Sequence, residues 1–241
     1  MQKHKKFPET IFLLTCFLFA GCDEGRLYED AVTTSGEGLN VSITADIQNA
    51  GSWPATYTVS IAAFKNGSDY ALISKSIGVK SAETGFYNIT LSNLPEETNT
   101  IELCVVNRLG QRIATFYSIK PDGRENYDIS LQEVLDVNMF DVIQNNIFTA
   151  TCANCHGAST FAAANLYLTD GKSFENLVGI ESEKVGDGTL RVSPGSRSGS
   201  LLYRILTEDL SQNWNYDHST EITEYNLLEL IGAWIDNGAK R

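Results

Sequence analysis

Side chains that bind soft metals are scarce in this chain. Its 241 residues include three histidines, two methionines and five cysteines. A closed structural zinc site takes four ligands, and there is neither a second Cys-x-x-Cys pair nor a His-x-x-x-His to complete one. Long apolar runs are missing too. The run IFLLTCFLFA, Ile11–Ala20, is about half the roughly 20 residues of a membrane-spanning helix. Positive charge is short: 18 Lys and Arg face 30 Asp and Glu, a net charge of −12. That balance disfavours nucleic acid and anionic lipid surfaces as partners. No catalytic pair or activated nucleophile stands out, so nothing marks the chain as an enzyme.

The apolar run follows a basic start (Lys3, Lys5, Lys6) and ends in Ala20-Gly21-Cys22. A basic region, an apolar region and a small-residue cleavage site make a signal peptide, residues 1–21. The ending resembles the lipobox of bacterial lipoproteins, with Phe19 where leucine is usual. The resemblance implies that Cys22 is lipidated and begins the mature chain. It places the protein in the cell envelope of a Gram-negative bacterium, lipid-anchored at the outer membrane, on its periplasmic or its outer face. A tether, 22–36, follows. Cleavage removes three lysines and one glutamate and leaves 15 basic against 29 acidic residues, a net −14. Such acidity suits a basic protein partner, or simply keeps a tethered protein in solution. His4 and Cys16 leave with the signal. The remaining soft ligands are Cys104, Cys152, Cys155, His156, His218 and Met139.

The pattern of the mature chain changes near residue 130. Before it, Val41, Ile43, Ala45 and Ile47 alternate with polar residues, as do Tyr57, Val59 and Ile61; this is the period of half-buried strands. Further strands fall at 86–91, 101–105 and 113–117, with turn signals such as Asn66-Gly67 and Leu109-Gly110 between them. This spacing predicts an all-β antiparallel sandwich over 37–131. The stretch from Phe86 to Ile113 resembles the late strands of an immunoglobulin or fibronectin type III-like module. Cys104 reads as a small buried strand residue. Beyond 135 the period is helical. Met139, Phe140, Ile143 and Ile147 form one apolar stripe, and Leu227, Leu228, Ile231, Trp234 and Ile235 another. Thr223 is a candidate N-cap, and Asn237-Gly238 a stop. About 75 residues between the stripes are rich in Gly, Ser and Asn. So loose a segment has little core of its own and invites a large apolar cofactor.

Between the stripes stands CANCH, Cys152 to His156. Two cysteines three apart admit a zinc half-site, a redox disulfide or a c-type haem. Zinc lacks partners. A thioredoxin-like disulfide needs a βαβ setting, which is not evident. Cys-x-x-Cys-His places two thiols for the two vinyl groups of a haem, with the histidine next under the iron, and an exported protein is where such bonds are made. The flanks, FDVIQNNIFTATCANCHG, NLYLTDG, RVSPGSRSGSLLYRIL and EYNLLELIGAWIDNGA, resemble class I cytochrome c domains, closest to the planctomycete-type modules. The resemblance covers about 135–241. It implies a mainly α cytochrome c-like fold with one haem c, held by Cys152 and Cys155 and ligated by His156. Phe140, Ile147, Ile231 and Trp234 then meet where the terminal helices cross. The ring of His156 needs a carbonyl to hold it, and the Ser193-Pro194 segment is one source.

The family usually carries a methionine before its last helix. Here that stretch, TEDLSQNWNYDHSTEIT, has none. Met139 lies in the first helix, where a core role fits. His218 is the candidate sixth ligand; as an exposed loop residue instead, it would leave the iron open. Trp214 and Tyr216 either line the pocket or plug it. The expectation is therefore a two-domain, lipid-anchored electron carrier with one haem c and a redox partner protein. The competing readings are a surface protein that binds a glycan or protein through Tyr57, Phe64 and Tyr70, and a haem enzyme or sensor with an open site.

Overall fold

The computed structural model describes residues 38–157, 162–214 and 216–241, with the backbone alone at 213 and 214. The expected signal peptide, the lipidation site Cys22 and the tether lie outside them.

Alternation builds the first sheet. β1 (Leu39–Ala45) turns Val41, Ile43 and Ala45 into the core. Its other face is polar and pairs across strands: Ser42 Oγ lies 2.9 Å from Thr90 Oγ1, and Thr44 Oγ1 donates to Asn88 Oδ1 at 2.9 Å. The strands that follow are β2 (Ile47–Gln48), β3 (Tyr57–Phe64), β4 (Ala71–Ser76), β5 (Tyr87–Leu94), β6 (Thr100–Asn107), β7 (Arg112–Ile119), β8 (Asn126–Ser130) and β9 (Leu135–Asp136). They form a sheet β5-β1-β8, a sheet β4-β3-β6-β7 and a small pair β2-β9. β6 is buried on both faces. Ile101, Leu103 and Val105 face the main core, while Cys104 and Val106 pack with Ala62 and Phe64. Glu102 shares the second face, and its buried carboxylate accepts from Arg112 Nη1 at 2.7 Å and Thr115 Oγ1 at 2.6 Å. A buried carboxylate needs such partners.

The helical part starts at α1 (Met139–Ile143), capped by Asn138, whose side chain accepts from Phe140 N at 2.8 Å. It runs directly into nine π-helical residues, Gln144–Cys152, and then α2 (Ala153–His156). α3 (Ser173–Leu177), α4 (Leu201–Thr207) and α5 (Ser211–Trp214) are short; α6 (Tyr225–Asp236) closes the chain. α6 begins after Glu224 rather than Thr223 and stops at Asn237, followed by Gly238 at φ 94°, a conformation glycine adopts without strain.

The expected layout, an antiparallel immunoglobulin-like sandwich followed by a separate, mainly helical cytochrome c-like domain, is not the architecture. All described residues belong to one compact unit, Gly36–Arg241. Two strand pairings, β1–β8 and β2–β9, are parallel. Among the described α-helices only α6 exceeds seven residues. The physical reason is a seam where the change of pattern indicated a boundary. The Trp53 indole N–H donates to Val137 O at 2.6 Å, Met139 N donates to Ser52 Oγ at 3.0 Å, and Asn237 Nδ2 donates to Ser52 O at 3.2 Å. One apolar core therefore joins Ile43, Ile61 and Leu103 of the sheets to Phe140, Ile147, Ile231 and Trp234 of the helices. Periodicity shows which face of an element is apolar; it does not show that two such faces share one core.

Phe140 stands at the centre of the helical part, with ring centroids of Phe174 and Trp234 both 5.2 Å away and Phe148 at 6.2 Å. Phe140→Ala should cost about 3–5 kcal/mol. Because the core is shared, denaturation followed by tryptophan fluorescence and by far-ultraviolet circular dichroism should shift by the same amount in one transition. Two separated transitions would show that the sheets and helices fold apart.

Candidate cofactor site

The helix from Met139 to His156 ends at a cavity. α2 is a single turn, so Cys152 and Cys155, three apart, lie on one side of it. Cys152 is half-buried against the core and Cys155 is exposed. Burial, aided by the nearby Glu221 carboxylate, pushes the Cys152 thiol up to about 11. A redox-active Cys-x-x-Cys depends on the opposite shift. Gly157 lets the chain leave the helix closely: a Cβ there would lie 2.3 Å from Ala153 O.

His156 is held from two sides. Its backbone oxygen accepts from Leu168 N at 2.8 Å, and its ring Nδ1 lies 2.9 Å from Ala163 O. A carbonyl only accepts, so Nδ1 carries a hydrogen, and Nε2 is the ring nitrogen left to face a metal. The carbonyl comes from Ala163, not from the Ser193-Pro194 segment. Ala164 and Asn165 follow at φ 55° and 51°, and this left-handed turn, rare for alanine, bends the chain back beneath the ring. No sequence signal announces it. Gln144 is a second feature the sequence conceals. It interrupts the apolar stripe yet is buried; its Nε2 donates to Leu168 O at 3.1 Å and Thr149 Oγ1 at 3.0 Å, and its Oε1 accepts from Ser173 Oγ. It ties the helix to the Leu166–Leu168 segment.

His218 arrives from the far side of the sequence, on the 3-10 turn His218–Thr220. Asp217 caps that turn, its side chain accepting from Ser219 N at 2.9 Å and Ser219 Oγ at 2.6 Å. Burial first, and the neighbouring His156 second, lower the pKa of His218, which favours the neutral, ligating form. The two imidazoles have centroids 6.4 Å apart and planes 28° from parallel. An imidazole–metal–imidazole unit, with metal–nitrogen bonds of about 2.0 Å and about 1.1 Å from nitrogen to ring centre, spaces the centroids by roughly 6.2 Å. Tyr216 packs edge-on to His218 at 4.9 Å, and its hydroxyl donates to the Glu221 carboxylate. The Trp214 side chain lies outside the described residues.

Both histidines, Cys155 and Tyr216 line a cavity of about 420 Å³, within the range of cofactor sites. Leu166, Leu177, Leu201, Leu202 and Ile205 supply apolar wall; Ser182, Glu183, Lys184 and Arg191 are its polar part. α4 is anchored behind the wall: Ser193 N donates to Ser200 Oγ at 2.8 Å, Gly195 N donates to Ile235 O at 2.8 Å, and Arg197 Nε donates to Asp236 Oδ2 at 2.6 Å. Met139 is buried in the core and does not line the cavity. Among the described residues no three His, Cys, Asp or Glu side chains converge as a metal cluster. Two imidazoles 6.4 Å apart, the Cys155 thiol and an apolar cavity, with Cys152 behind them on the core, are compatible with a covalently held haem. The three aromatics considered for a binding face do not make one: Phe64 is fully buried, Tyr57 half-buried, and only Tyr70 is exposed.

Comparison with protein-family models, curated proteins and solved structures finds no match.

The two thiols should differ in reactivity when no cofactor is attached. At pH 8 an alkylating reagent should label Cys155 promptly and Cys152 slowly, because the raised pKa keeps Cys152 a neutral thiol. The Cys152 rate should climb as pH rises toward 11. Time-resolved peptide mass spectrometry reads this directly, and equal rates at pH 8 would contradict the burial of Cys152.

Proposed function

We propose that this chain is a monohaem c-type protein that carries single electrons in the bacterial cell envelope. The observation that supports it is the pair of imidazoles, His156 and His218, 6.4 Å apart on one apolar cavity that the Cys155 thiol also lines, with Cys152 one helical turn back against the core. Cys152 and Cys155 would hold the haem covalently through their sulfurs, and His156 and His218 would ligate its iron. Haem, when bound, supplies a one-electron iron couple, and two imidazoles set a lower potential than histidine with methionine. The Ala163 carbonyl orients His156 through Nδ1, and the leucines make the cavity wall apolar. The lipobox-like Ala20-Gly21-Cys22 supports a lipid anchor, and the net charge of −12 suits a redox partner with a basic face.

The test is expression with the haem-attachment machinery, followed by absorption spectra. Haem should stay bound after denaturation and be lost in the Cys152→Ala, Cys155→Ala double variant; protein without haem would sink the reading. Reduced wild-type protein should bind carbon monoxide slowly, and His218→Ala should bind it at least about tenfold faster. Fast binding by the wild type would remove His218 as a ligand.

A further inference from the structure

The cavity wall contains a buried cation. Arg191 is 8 % exposed and lines the cavity. Its Nη1 donates to Asn176 O at 2.9 Å and its Nη2 to Ala164 O at 3.5 Å. These are peptide carbonyls, which satisfy hydrogen bonds without neutralising charge. The carboxylate it pairs with, Glu183, stays 3.8 Å away, outside hydrogen-bond reach, and its side chain is 59 % exposed, so water holds much of its charge. A guanidinium has five N–H donors in a fork that matches a carboxylate, and a buried one is costly without a close anion.

The surroundings make this a constructed end of the cavity. Arg191 N donates to Ile180 O at 2.7 Å and Ser182 N donates to Thr189 O at 2.9 Å. Those bonds join the two segments and bring Ser182, Glu183, Lys184 and Arg191 to the same lining, two cations against one largely exposed carboxylate. Two cations there stand out in a chain of net charge −12.

We infer that the cavity takes a ligand bearing a carboxylate, and that Arg191 receives that carboxylate in a forked, charge-assisted pair. The inference rests on the haem reading, since haem carries two carboxylate side chains. It adds a positioning residue on the cavity wall, apart from the thiols and imidazoles.

The experiment uses the full chain with Cys152→Ala and Cys155→Ala, so that binding is reversible, titrated with haemin and with haemin dimethyl ester and followed by tryptophan quenching. Haemin should bind at least about tenfold more tightly than the ester, the scale of one charge-assisted pair. Arg191→Met should reduce that ratio to within about twofold, and Arg191→Lys should restore part of it. Equal binding of haemin and ester overturns the role of Arg191 and leaves the haem reading intact. Binding of neither overturns both. If Arg191→Met does not fold, Arg191→Lys, which keeps the charge but loses the fork, should lower the ratio while Lys184→Met leaves it; the reverse result assigns the carboxylate to Lys184 and overturns the proposal.

Discussion

One buried hydrogen bond decides where the site falls. The Trp53 indole grips the Val137 carbonyl at 2.6 Å, and one residue later Asn138 caps the helix. From Met139 the helix continues to His156 without a break. Its starting point therefore sets where its last residue ends up. The sheets do not merely precede the candidate site: the Ser52–Trp53 connection between β2 and β3 positions it. Phe140 and Trp234, in contact with each other at 5.2 Å, then bring α6 against the same helix.

Around that helix end the chain builds a cradle from distant pieces. Ala163 holds one imidazole, Asp217 caps the turn that carries the other, and α4 supplies leucines between them. Each piece is short and poorly stable by itself, since isolated helices of this length do not persist in water. Packing against one shared core lets them hold a geometry. The polar Ser182–Lys184 segment and Arg191 add charge at one place on an otherwise apolar wall.

Much of this was legible in the residues. The strand alternation at Val41–Ala45, the apolar stripes of the first and last helices, and the core role of Met139 all appear in the pattern. CANCH marked the residues that stand at the cavity, and the Met-less stretch drew attention to His218, which the fold brings within 6.4 Å of His156. The unity of the fold was not legible. The Trp53–Val137 bond joins positions 84 apart, and no periodicity encodes such a pairing. Nor was the Ala163 carbonyl, because it depends on an alanine, Ala164, in a conformation that side chains usually avoid. Arg191 was hidden for another reason: an arginine before a loop ordinarily reads as surface, and only the folded wall shows it buried.

The π-helical stretch Gln144–Cys152 has a consequence for the site. A π turn accommodates about one residue more than an α turn. Were the same residues to wind as α, everything after them would turn by about 100° around the axis for each residue so absorbed. His156 would swing away from Ala163 and His218 although every side chain was unchanged. The width of these turns, and not only the side chains on them, therefore sets where His156 points.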